Sequence, residues 1–194
     1  MDGKLTLLPY NCINPKGQVV VAILYVATRG LVCYEEEMSP SISLDATDWK
    51  ILRELQRDCR ITNVELASRI GLSPPPCLRR VRALEKAGVI TGYRALLDAG
   101  KLGFDVRMFA FVGLKSQAES ELKAFEARVA QWPLVREAYA ISGEADFLLR
   151  CAARDLTALQ DFIIGELTAV ANVEHVKTTL ILRVAKYQPG VPIA

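Results

Sequence analysis

The sequence has one histidine, His175, and five cysteines with no Cys-x-x-Cys spacing. That scarcity removes the usual zinc sites and any histidine-based catalytic dyad, so no metal and no cofactor is expected. The odd number of cysteines, Cys12, Cys33, Cys59, Cys77 and Cys151, argues against a disulfide framework and for a reducing, cytoplasmic setting. Long apolar runs are also missing. The stretch "VVVAILYVAT", Val19 to Thr28, is bounded by Gln18 and Arg29 and reaches about half the roughly 20 residues that span a bilayer, so no membrane partner is expected. It does not read as a signal peptide either, because few positive charges precede it and "GLVCYEEE" is no small-residue cleavage site.

Net charge is slight, +2, but unevenly placed. Residues 44–103 carry 11 Lys/Arg against 7 Asp/Glu, and residues 104–194 carry 10 against 11. The first block alone is basic, as a nucleic-acid contact requires and as a solvated charged face also permits. A chain of 194 residues accommodates two compact units. Residues 1–43 read as an extension punctuated by Gly and Pro. It holds an acidic run just before Met38, which makes Met38 the expected natural start and the preceding segment a misassigned extension; a short strand appendage is the alternative.

Hydrophobic periodicity then gives three helices. "LDATDWKILRELQRD" offers Asp45 or Thr47 as caps and places Ile51, Leu52 and Leu55 at helical spacing. "NVELASRIG" sets Val64, Ala67 and Ile70 on one face and stops at Gly71. A third helix opens at Ser73, a good N-cap residue, with Pro74 at the first helical position, where a fixed φ and a missing N–H are harmless. Gly88 ends it, and "VITGYRALLD" reads as an extended return.

From Phe104 the period becomes two. Phe104, Val106, Met108, Ala110, Val112 and Leu114 form one face of a strand, and Phe109 and Phe111 fall on the other. "AESELKAFEARVAQW" is amphipathic, with Leu122, Phe125, Val129 and Trp132 on a stripe. "LVREAYAIS" and "DFLLRCA" form a hairpin around "GEA". A helix follows over "DLTALQDFIIGELTAV", with Leu156, Leu159, Ile163 and Leu167 inward, and "VEHVKTTLILRVAKY" is a last strand. The order β-α-β-β-α-β is that of a ferredoxin-like sandwich. Aromatic residues on its uncovered sheet face point to a surface that a second copy covers.

Two short helices joined at a glycine, the second basic, fit a helix-turn-helix. At about 100° per residue, Cys77, Val81, Leu84 and Gly88 share one side of the third helix, and Arg79, Arg82 and Lys86 share the other, with Arg80 at its edge. Such cations can reach phosphates or pair bidentately with guanine edges.

The segment "LDATDWKILRELQRDCRITNVELASRIGLSPPPCLRRVRALEKAGVITGY" resembles the winged helix-turn-helix of the leucine-responsive regulator and asparagine regulator (Lrp/AsnC) family of bacterial and archaeal transcription factors. The likeness lies in "NVELA", "GLSPxPC" and the arginine-rich helix ending "GVITGY", and it extends over about residues 43–187. The resemblance implies an α+β chain: an N-terminal winged helix-turn-helix over 44–103, a ferredoxin-like β-α-β-β-α-β regulatory domain over 104–187, and a tail over 188–194. It further implies a homodimer that assembles further, double-stranded DNA as partner, and a small effector, an amino acid, bound between dimers near the central hairpin turn.

On these positions the expected DNA-binding residues are Ser73, Pro75, Arg79, Arg80, Arg82 and Lys86. The turn "SGEADF" matches the family's glycine/aspartate motif at Gly143 and Asp146 and departs from it at Glu144 and Ala145. Gly143, Glu144 and Asp146, with Thr178 and Thr179 on the last strand, are the expected effector residues. The competing expectation is a ferredoxin-like enzyme or enzyme-regulatory subunit acting on amino acids. Cys59 stands where the family usually has glycine, which suggests a strained helix end, an exposed thiol or a tolerated surface residue. Cys77, Cys151, Trp49 and Trp132 read as core, and His175 as a solvated histidine at the edge between helix and strand.

Overall fold

The computed structural model describes the backbone of residues 8–13, 19–27 and 30–33, and residues 43–193 with their side chains. Met38, the expected start, lies outside the described residues. Three antiparallel strands, β1 (Leu8–Ile13), β2 (Val19–Ala27) and β3 (Gly30–Cys33), form a meander in the N-terminal segment. Of the described residues, those up to Arg94 together with Pro189–Ile193 form one compact unit, and Ala95–Gln188 form the other. The expected boundary at 103/104 therefore falls within the second unit. The tail returns to the first because Gln56 clasps it: its Nε2 donates to the Val191 carbonyl at 2.7 Å and its Oε1 accepts the Val191 N–H at 3.1 Å.

The helices of the first unit are α1 (Ala46–Arg57), α2 (Asn63–Ile70) and α3 (Pro74–Lys86). Asp45 caps α1, accepting from the Thr47 and Asp48 N–H groups, and Asp48 reciprocates to the Asp45 N–H, which completes a capping box. Thr62 caps α2, and Gly71, with φ +75°, ends it in the left-handed region. Ile51, Leu66, Ala67, Ile70, Cys77 and Leu84 make the core, which Leu52, Leu55, Val81 and Ile90 extend. Two expectations fail here. Val64 is 67% exposed and Trp49 is 44% exposed, because Leu66 takes the inward position on α2 and Ile51 on α1. Residues 91–98, the expected return, run without strand pairing.

The second unit is an antiparallel sheet in the order β5-β6-β4-β7, from β4 (Val106–Leu114), β5 (Val135–Ala140), β6 (Phe147–Ala153) and β7 (Val173–Leu180). Its helices are α4 (Glu119–Val129) and α5 (Leu156–Phe162), the latter continued by a π-helical turn, Ile163–Leu167. Alternation on β4 and β6 sends Met108, Ala110, Val112, Phe147, Leu149 and Cys151 into one core with Phe125, Val129, Trp132, Leu159, Phe162 and Leu167. Leu156, expected inward, is 61% exposed at the first position of α5, and Phe162 fills the core instead. The wider π turn resets the helical phase, so Leu167 still returns to the core.

His175 is solvated, as expected, but it belongs to the last strand rather than to the connection before it. It lies on β7 opposite Gly113, beside a register shift, and a Cβ on Gly113 would come within 2.0 Å of its ring. Cys59 is exposed and, with no non-glycine residue at positive φ among those described, its helix end is unstrained.

Candidate nucleic-acid interface and effector turn

The start of α3 departs from an ordinary helix terminus. Pro74, Pro75 and Pro76 occupy its first three positions and none has an N–H. Ser73 stands at the N-cap with extended backbone (φ −80°, ψ 154°), yet its hydroxyl makes no capping bond. The donors such a bond needs, on the second and third helical residues, do not exist. Cys77 supplies the first helical N–H, which reaches Ser73 O at 3.3 Å. The same absence removes the backbone amides with which helix N-termini commonly hold phosphate. Anionic contacts at α3 therefore fall to side chains.

Those side chains divide into two groups. Arg79, Arg82 and Lys86 are exposed, and none pairs with a carboxylate among the described residues. Arg80, expected with them, is bound within the unit: Nη1 donates to Asp45 Oδ2 at 2.7 Å and to Asp48 Oδ1 at 2.9 Å. The hydrogen bond to Asp48, then that to Asp45, raises the guanidinium pKa further. The Asp45 carboxyl is in turn held below the usual carboxylate range, chiefly by the Asp48 N–H. The capping box of α1 is thus also the seat of an α3 arginine, which spacing within α3 could not reveal.

The C-terminal end of α3 is fixed in two ways. Gly88, at φ +73°, is exposed rather than part of the buried stripe, and it turns the chain so that the Val89 N–H reaches Leu84 O at 3.0 Å. Tyr93 then donates its hydroxyl to Glu85 Oε1 at 2.9 Å. Partial burial first, then this bond to a carboxylate, pushes the Tyr93 phenol up to about 12. Pattern reading missed Tyr93, because its partner lies on another element.

In the second unit the turn between β5 and β6 holds Gly143 at φ +138°, a value that side chains resist, and Glu144 exposed beside it. Asp146 closes the turn. Its Oδ2 accepts the Leu114 N–H and its Oδ1 accepts from Gln117 Nε2, each at 2.6 Å, while its own N–H donates to Val112 O at 2.9 Å. Gln117 is a second residue that the sequence reading missed. Thr178 and Thr179 stand opposite Ala110 and Phe109 and, as consecutive strand residues, on opposite sides of the sheet. Strand β4 separates both from the hairpin, so one chain does not bring them to the turn. A concavity of about 300 Å³ lies elsewhere, between α4 and residues 169–172, lined by Glu121, Phe125, Arg128 and Asn172 among others.

The sheet face away from the helices carries Phe109, Phe111 and Leu148 half-buried and Tyr139 half exposed. Arg150 pairs with Glu137 in their midst. That hydrogen bond is the main reason the Glu137 carboxyl sits below its usual range. Among the described residues there is no cluster of His, Cys, Asp and Glu suited to a metal, and no helix long and apolar enough to cross a membrane.

Comparison with known proteins matches both units in order. A winged helix-turn-helix DNA-binding profile fits residues 44–91, and the profile of the Lrp/AsnC ligand binding domain fits residues 107–191. The chain is 63% identical over 145 residues to the leucine-responsive regulatory protein of Rhizobium meliloti (strain 1021), covering 75% of this chain and 93% of that one. It is 36% identical over 152 residues to the leucine-responsive regulatory protein of Escherichia coli (strain K12), covering 78% and 93%. Among solved structures, a transcriptional regulator of Neisseria meningitidis in complex with L-Met superposes with a TM-score of 0.74 at 37% identity, covering 77% of this chain and 97% of that chain. E. coli AsnC superposes at 0.71 and 28% identity, covering 78% and 100%. A basic helix-turn-helix followed by this α+β unit, matched at these levels over three quarters of the sequence, establishes that the chain belongs to the Lrp/AsnC family of transcriptional regulators.

Proposed function

We propose that this DNA-binding regulator reads its operator with α3 in the major groove, through Arg79, Arg82 and Lys86, as a homodimer whose DNA binding responds to an amino acid. The carrying observation is the division of the α3 cations: among the described residues three are exposed without carboxylate partners, while Arg80 is held by Asp45 and Asp48. Arg80 then acts by holding α3 against the start of α1, and Ser73 and Pro75 shape the end of α3 that approaches the DNA backbone. The enzyme alternative falls away, because the family regulates transcription.

The dimer is supported by the aromatic sheet face, with Phe109 and Phe111 at its centre, and by geometry: one short helix reads few base pairs, and a two-fold pair reads a palindrome. The amino-acid effector is supported by the ligand-binding-domain match and by the relative solved with L-Met. The turn Gly143–Asp146 is its proposed seat. Thr178 and Thr179 join that seat only if another copy presents them.

The test is a mobility-shift titration on the DNA upstream of the protein's own coding region, at two salt concentrations, with and without a panel of common amino acids. Salt-sensitive, sequence-specific binding altered by one amino acid is expected. Replacing Arg79 and Arg82 by alanine should weaken operator binding about 5- to 150-fold for each bidentate arginine–guanine pair removed, with oligomeric state unchanged. Unaltered operator binding by that double variant would refute the docking of α3.

A further inference from the structure

We infer that Asn63 is a positioning residue for DNA recognition, setting the seat of α3 against α2 through a single directed bond; the inference rests on the α3 docking proposed above. Asn63 is the first residue of α2, and its Nδ2 donates to the Pro74 carbonyl, on the first residue of α3, at 2.8 Å. Among the described residues this is the only side-chain hydrogen bond joining α2 to α3. The other contacts between the two helices are apolar packing around Ala67, Ile70, Cys77 and Leu84, which holds helices together without fixing their angle sharply.

The other half of the same amide makes asparagine an odd choice for stability. Asn63 Oδ1 is buried and has no hydrogen-bond partner. A buried orphan acceptor generally costs more than one net hydrogen bond contributes. Turning the amide over does not help, since it would set Oδ1 against the Pro74 carbonyl and bury the NH₂ group instead. A small apolar residue would serve folding about as well. What it could not supply is the bond to Pro74, and α3 has special need of it. With prolines at its first three positions, this terminus has no N–H through which a cap or a neighbouring loop could hold it. The carbonyl side is the only backbone handle left there, and Asn63 holds it.

A residue that sets the seat of a recognition helix without touching DNA should affect base discrimination and leave general electrostatic attraction alone. We expect the full-length Asn63→Ala variant to melt within a few degrees of the wild type. Its operator affinity should fall about 10-fold while its affinity for random DNA and its salt dependence stay unchanged, because every cation is retained. Amide exchange at Cys77, the first N–H of α3, should be faster in the variant. An unchanged ratio of operator to random-DNA affinity overturns the inference, and so does an equal fall in both affinities. Should Asn63→Ala lose the fold of its unit, Asn63→Asp decides. It keeps the size, cannot donate to Pro74, and places a carboxylate where the α2 dipole favours one. Loss of the ratio supports positioning, and its retention overturns it. Failure of the underlying reading is separately visible: there, Arg79 and Arg82 could be removed without effect while Asn63 remains intact.

Discussion

Asp146 Oδ2 accepts the Leu114 N–H at 2.6 Å, so the carboxylate of the hairpin turn also secures the end of the neighbouring strand β4. Its second oxygen holds Gln117, in the segment leading to α4. The turn proposed to sense an effector is therefore fastened to the strand and to the approach of a helix. Any ligand that shifts the carboxylate acts on both.

That double engagement makes Asp146→Asn informative. The carboxamide keeps the shape and offers one oxygen where two donors need acceptors, so either the part-buried Leu114 N–H or the exposed Gln117 amide is left poorly paired. The expected cost is about 1–2 kcal/mol, confined to the regulatory unit. Trp132, 5% exposed in that core, reports its unfolding in urea, whereas Trp49, 44% exposed, reports on the DNA-binding unit. A lowered midpoint for Trp132 emission alone, with a blunted amino-acid response, is the expected outcome. An unchanged midpoint would mean that the two short bonds contribute nothing to the fold.

Much of this is legible in the sequence, and the pattern of failures is physical. Alternation along β4 marks the buried face from Met108 to Val112 residue by residue, because a strand between two neighbours has one covered side and period two expresses it directly, up to the register shift at Gly113/Leu114. Helical positions are harder to read where a residue stands at an end. Val64 lies in the first turn of α2 and Leu156 opens α5, and at such positions periodicity continues in the sequence while the core no longer follows it. Ser73 reads as a cap by residue type, though the next three residues remove the donors. Invisible altogether are bonds that side chains make to distant side chains, Arg80 to Asp45 and Gln117 to Asp146, or to distant backbone, Asn63 to Pro74 and Gln56 to Val191. Each joins residues with no shared period, and together they decide which candidate side chains remain free for DNA or ligand.

Tyr93 gives a pH signature for the exit of α3. Its phenol, pushed up to about 12 from an ordinary 10, favours the protonated form in the folded state. A raised pKa contributes stability that is complete below the unfolded value and is lost as pH rises through the folded one. The window is therefore from about 10 to about 12. In a spectrophotometric titration the last tyrosinate to appear should vanish in Tyr93→Phe, and that variant should show a shallower alkaline loss of stability. Ionisation of Tyr93 at its ordinary value of 10 would show that the Glu85 bond does not persist in solution.

The open face of the regulatory sheet yields the last prediction. Phe111 is paired across the ladder with Leu148 on one side and Lys177 on the other, and Phe109 with Arg150, so the apolar centre is flanked by charge. If a second copy covers this face, Phe111→Asp puts an unpaired carboxylate into a desolvated contact, at a cost that dimer affinity cannot absorb. The monomer should survive, because Phe111 points away from the core that Ala110 and Val112 enter, and both of those are fully buried within one chain. Sedimentation should then report a species near 21.4 kDa with native secondary structure. Operator affinity should fall by about 100-fold or more once the second recognition helix is no longer tethered, while binding to random DNA falls much less. An undiminished assembly would move the interface off this face, and loss of operator binding by an intact dimer would assign Phe111 a role in DNA geometry instead.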